Sequence, residues 1–131
     1  MKEGKKYSLQ IIEDNLIILK YYNGTISDLD MEKAIKSEML ELSKGKAYHT
    51  IVMLNDITGS MTEEAKNFSA NDKDWAKYRL SEAVCTNSFV FSLGIGAYLK
   101  IYKPIVNTKV FSKYEDALAW TNKIKSEIEN K

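Results

Sequence analysis

Three hydroxyls, Thr58, Ser60 and Thr62, stand just ahead of the acidic pair Glu63-Glu64. A phosphate placed on such a hydroxyl would meet the free amides and positive dipole end of a helix, so modification there could switch the binding of a partner. Glu63 and Glu64 would repel that phosphate. The expected role of Ser60 or Thr62 is therefore to cap the helix, with Thr58, Ser60 and Thr62 kept as possible regulatory hydroxyls. Asp56 ends an apolar run, at the place where ligand crevices of parallel sheets gather, and is expected to accept hydrogen bonds from the following turn. His49 has no nucleophile beside it and reads as an exposed loop residue. Cys85, in Ala83-Val84-Cys85, reads as a small buried hydrophobe in a reducing compartment. Arg79 is the only arginine, and its expected role is an ion pair or a carbonyl contact near the start of a strand. Gly94-Ile95-Gly96 lacks the third glycine of a dinucleotide loop, so close helix packing is its expected purpose.

These residue counts exclude much chemistry. One Cys and one His cannot build a Cys/His zinc site. With no carboxylate pair at motif spacing, no metal set and no activated nucleophile, the chain is not expected to be an enzyme or to hold a metal or cofactor. A net charge of +1 argues against a nucleic-acid partner. The longest apolar runs are too short for an integral membrane segment. The start, MKEGKKYSLQ, lacks the apolar core of a secretory signal, and a cytoplasmic location is expected. The 131 residues suit a single domain over 1–131.

The unusual content is aromatic and apolar, from Trp75 to Tyr102. The segment from Phe89 to Ile101 is apolar around most of a helical circumference, which is expected where a partner or a deep core covers the helix. Val90, Leu93, Gly94, Ala97 and Ile101 are expected to face the core. Phe89, Phe91, Ile95 and Leu99, with Tyr102, then form a possible partner or ligand surface. Three occupants are expected there: a second copy (homodimer), another regulatory protein, or a small apolar, lipid-like ligand held between this helix and the sheet.

These residues need elements to position them. Tyr7 to Glu13 and Leu16 to Tyr22 read as a hairpin across Asp14-Asn15. Ser27 opens a helix whose stripe is Met31, Ala34, Ile35, Met39 and Leu42, and Gly45 stops it. Thr50 to Asp56 reads as a buried central strand. A second helix opens at Met61–Ala65, and Asn71–Asp74 interrupts it. Trp75 to Leu80 is either a further helical turn or the approach to a strand over Leu80–Thr86. After the third helix, Pro104 breaks the chain, Thr108–Phe111 is a short strand, and a capping box at Ser112–Glu115 starts the last helix. The order β-β-α-β-α-β-α-β-α predicts an α/β fold. Its sheet is mixed, mostly parallel and five-stranded, with an N-terminal hairpin and about four helices.

The ordered segments ITGSMTEEAKNF, EAVCTNS, GIGAYLKIYKP and KVFSKYEDALAW resemble small bacterial SpoIIAA-like proteins of the STAS type, across residues 7 to 124. The resemblance rests on Asp56, Ser60-Met61-Thr62, Lys103-Pro104, Lys109-Val110-Phe111 and Ala117-Leu118-Ala119-Trp120. It implies helices packed mainly against one face of the sheet and a protein that works by binding. Better-known STAS domains are anti-sigma factor antagonists switched by phosphorylation of a Ser or Thr at a helix N-terminus. This chain reads Asp56-Ile57-Thr58-Gly59-Ser60 and departs from their Asp-Ser-Ser-Gly spacing. A further resemblance to lipid-carrying folds of the SEC-fourteen type is in line with an apolar ligand.

Overall fold

A computed structural model describes residues 6–13, 15–54 and 59–129. Strands β1 (Tyr7–Glu13) and β2 (Leu16–Tyr21) form the expected antiparallel hairpin, with Asn15 at a positive φ of 61° in the turn. A short strand β3 (Thr25–Ser27) leads to helix α1 (Leu29–Leu42). Asp28, rather than Ser27, caps α1 by accepting the Met31 N–H, and Gly45, at φ 76°, follows its last turn. Strand β4 is Tyr48–Met53, two residues earlier than the apolar run suggested. Among the described residues, strand β5 (Gly59–Met61) pairs only with β3. A Cβ on Gly59 would sit 2.6 Å from the Thr25 carbonyl oxygen, so only glycine lets these two backbones meet.

Helix α2 (Glu63–Asn71) is followed at once by α3 (Lys73–Tyr78). Asp72 ends the first, and its side chain accepts the Trp75 N–H to start the second. The expected interruption is thus a shared cap, and Trp75–Tyr78 is helical. Strand β6 (Arg79–Cys85), helix α4 (Phe89–Tyr102), strand β7 (Asn107–Phe111) and helix α5 (Tyr114–Glu129) complete the order. The described residues thus hold five helices where about four were expected; the short α3 is the addition.

The main sheet runs β1-β2-β4-β6-β7, antiparallel at β1-β2 and parallel elsewhere, with β3-β5 as a separate two-stranded ladder. Alternation along the strands sends side chains to two cores. Ile17, Leu19, Tyr21, Tyr48, Val52 and Val84 pack with Ile35 and Met39 of α1, Trp75 of α3, and partly buried Phe68 of α2 and Ile95 of α4. Leu16, Ile51, Ala83 and Cys85 pack with Ala117, Leu118 and Trp120 of α5. Four helices therefore cover one face and a single helix the other. No helix among the described residues is long and apolar enough to cross a membrane.

Two expectations are corrected here. His49 is not an exposed loop residue. It lies in β4, buried, with Nδ1 2.7 Å from Ser81 Oγ, because the strand begins at Tyr48 and its alternation turns His49 under α5. Gly94 and Gly96 do not serve close packing: a Cβ at either would meet nothing within 4 Å.

Candidate functional site

Between α4 and the sheet lies a cavity of about 370 Å³. That is within the range of about 300–1,000 Å³ in which small-molecule sites fall. Leu19, Val52, Leu54 and Val84 line it from the strand side and Trp75 from α3. Phe91, Ile95 and Tyr98 line it from α4, and Ser60 and Met61 from β5. The hollow exists because α4 is held off the sheet: none of its residues is fully buried. The helix is capped at one end and tied to α2 at the other. Ser88 Oγ accepts the Phe91 N–H at the start, and the Tyr102 hydroxyl donates to Glu63 of α2 at the end.

One end of the cavity is polar. Glu32 of α1 is only 2% exposed, and its Oε2 accepts from Tyr21 Oη and Ser27 Oγ, both at 2.6 Å. Burial pushes the Glu32 carboxyl above its ordinary value, more than these two donors pull it down. Arg79, also 2% exposed, lies over the Trp75 ring with Cζ 3.8 Å from its centre. Its Nη1 donates to Ser69 Oγ at 3.3 Å and sits 3.7 Å from Glu82 Oε1, while Nη2 donates to the Ser69 carbonyl oxygen. Tyr98 shares a side-chain hydrogen bond with Ser69, and burial drives its hydroxyl well above the ordinary tyrosine value. Glu32, Ser69, Arg79, Glu82 and Tyr98 all line the cavity. Behind them, Trp75 Nε1 donates to Tyr48 Oη at 2.8 Å, and burial pushes the Tyr48 hydroxyl up to about 12.

The residues singled out in the sequence fall as follows. Phe91 and Ile95 line the cavity, while Leu99 and Tyr102 are half-buried further along α4. Phe89 is 75% exposed and lies outside the lining. The face expected to point inward is only partly right: Val90 and Gly94 border the cavity, Leu93 and Ile101 are exposed and outside its lining, and Phe91 and Ile95, expected on the opposite side, line it too. A helix apolar on every side gives periodicity nothing to choose with. Thr62 caps α2 by accepting the Ala65 N–H at 3.2 Å, and Ser60 is exposed at the cavity wall. Thr58 and Asp56 lie outside the described residues. Arg79 makes the ion pair and the carbonyl contact expected of it. Cys85 is buried and free, and burial pushes its thiol up to about 11. The sequence reading missed Glu32. Its one sign was an acidic residue beside the apolar stripe of α1, and its partners come from two other elements.

The fold is similar to that of an uncharacterized DUF3478-family protein from Shewanella loihica PV-4, which has a SpoIIAA-like fold. The TM-score is 0.60 at 11% identity, over 88% of this chain and 91% of that one. The expected mixed, mostly parallel SpoIIAA-like architecture is therefore present. No curated protein matches the sequence. Residues 10–125 match the family described as "Domain of unknown function (DUF7793)".

Proposed function

Since the chain belongs to the DUF7793 family, whose function is unknown, we propose from its own cavity that it is a non-catalytic binding module for a small, mostly apolar ligand. The carrying observation is the hollow of about 370 Å³ between α4 and the sheet, lined by Leu19, Val52, Val84, Phe91 and Ile95. Such a protein carries or senses its ligand. A cytoplasmic setting suits the free, buried Cys85. The neutral fluorophore N-phenylnaphthylamine tests the reading. Its emission should rise and saturate at one equivalent of protein. Gly94→Trp places an indole at the cavity wall, where a Cβ has open space, and should weaken this binding about tenfold or more, or about 1.4 kcal/mol. A wild-type protein that leaves the dye dark, or a Gly94→Trp variant that binds as well, would refute it.

A second reading has its own observation. The outer side of α4 exposes Phe89, Leu93 and Ile101, at 59–75% each. Apolar exposure of that kind marks interaction surfaces, which favours a regulatory partner or a homodimer. Light scattering on the wild type and on Leu93→Glu decides this: a dimer that the variant dissolves supports self-association, and a strict monomer removes it.

A further inference from the structure

We propose that the outer face of α4 docks on an anionic lipid bilayer, with its apolar side chains in the surface of the bilayer and the lysines at its end among the headgroups. This goes beyond the cavity reading and stands without it. Phe89, Leu93 and Lys100 follow at i, i+4 and i+11, so they share one side of the helix. Phe89 and Leu93 are exposed, Ala97 lies exposed between Leu93 and Lys100, and Ile101 flanks them, exposed as well. Past the end of the helix, Ile105 adds a further exposed apolar group. The side that ties α4 to the protein is the other one. Tyr102, two positions from Lys100 and so turned away from it, reaches Glu63 of α2.

Charge selects what covers this face. Residues 83–114 hold no acidic residue and four lysines, Lys100, Lys103, Lys109 and Lys113, and are the longest acid-free stretch of the chain. Lys100 and Lys103 are exposed at the C-terminal end of α4, Lys103 as the left-handed residue that caps it. Glu63, the acid that Tyr102 holds, sits 3.6 Å from Lys66 on its own helix. An apolar stripe edged by lysines suits a helix that lies in a bilayer surface. The apolar groups enter the acyl boundary, and the lysine stems run along them and lift the ammonium groups to the headgroups. Anionic headgroups then supply the counter-charge. A protein interface suits these residues less, because lysine is depleted from such interfaces. Two copies meeting through α4 would set one acid-free helix against another and leave Lys100 and Lys103 without a counter-charge. Because α4 is a wall of the cavity, a bilayer on this face would lie one helix diameter, about 10 Å, from it.

Co-sedimentation of the full chain with vesicles tests this, using phosphatidylcholine alone and phosphatidylcholine with phosphatidylglycerol in equal parts. The protein should pellet with the mixed vesicles and bind phosphatidylcholine alone about tenfold more weakly or worse. Leu93→Glu, at an exposed position, should weaken binding to the mixed vesicles about tenfold or more. Lys100→Gln combined with Lys103→Gln should weaken it about tenfold. Ile128→Glu puts the same charge on an exposed apolar position of α5, across the sheet, and should bind as the wild type does. In Leu93→Trp the indole emission should move to shorter wavelength when mixed vesicles are added, which contact through lysines alone would not produce. A wild-type protein that stays in the supernatant, a Leu93→Glu variant that pellets as well, an Ile128→Glu variant that fails equally, or equal binding to phosphatidylcholine alone overturns the proposal. A wild-type dimer that Leu93→Glu dissolves and that ignores the vesicles also overturns it and gives this face to a second copy. The dye titration of the cavity is made without vesicles, so either reading can fail while the other stands.

Discussion

The two faces of the sheet solve the same problem differently. On one face α5 alone closes the core: Ile51, Ala83, Cys85 and Ala117 are all fully buried. Small residues on both sides, Ala83 and Cys85 against Ala117, let the helix approach closely. On the other face four helices share the work and still leave a hollow. Trp75 and Tyr48 fill it beneath α3, but α4 meets the sheet only through half-buried side chains. Close packing gives stability on the first face; imperfect packing gives room on the second.

Truncation should separate the faces most sharply. Ile51→Ala empties a filled, fully buried position and should cost about 3–4 kcal/mol in urea denaturation. Ile95→Ala, from a half-buried residue already beside a cavity, should cost less than about 1.5 kcal/mol. Equal losses would mean that α4 is packed as tightly as α5.

The faces should also respond oppositely to pH. On the α4 side, burial raises the Glu32 carboxyl above its ordinary 4.5. The folded state then binds a proton that the unfolded state has released, so stability falls as pH rises above about 4.5, until the folded carboxyl itself ionises. On the α5 side, burial, helped by Lys125, holds His49 below its ordinary 6.5. Here the unfolded state takes up the proton first, so stability falls as pH drops below about 6.5, until the folded imidazole is protonated in turn. Each group can contribute at most about 1.4 kcal/mol per pH unit. Urea midpoints across this range should lose the first slope in Glu32→Gln and the second in His49→Gln. A Glu32→Gln variant with the wild-type profile would show that Glu32 titrates normally in the fold.

How much of this could be read from residues alone follows from what each feature depends on. The hairpin, the parallel strands and the α1 stripe are local patterns, and they stand nearly where periodicity put them, apart from Ala34, which is exposed. The β3-β5 ladder is three residues long on each side, too short for any period to show. The cavity depends on how far α4 stands off, and its nearly uniform apolar surface concealed which side faces in. The polar end was hidden for a different reason. Glu32 is held by Tyr21 and Ser27, and Arg79 by Ser69, Glu82 and Trp75, partners brought together by tertiary packing. Of the residues named as possible regulatory or ligand positions, Ser60, Phe91 and Ile95 line the cavity.

The smallest expected effect tests why α4 carries glycine where nothing crowds it. Gly94 lines the cavity, and a Cβ there meets nothing within 4 Å. Gly94→Ala should therefore stabilise the protein by about 0.5–1 kcal/mol through helix propensity alone. If the glycine only marks a tolerant position, dye binding will be unchanged. If it keeps α4 loose enough to admit ligand, the dye will enter more slowly in stopped-flow mixing while its final affinity holds. A destabilised Gly94→Ala would mean that α4 packs closer to the sheet than its half-buried side chains indicate, and the contrast between the two faces would shrink accordingly.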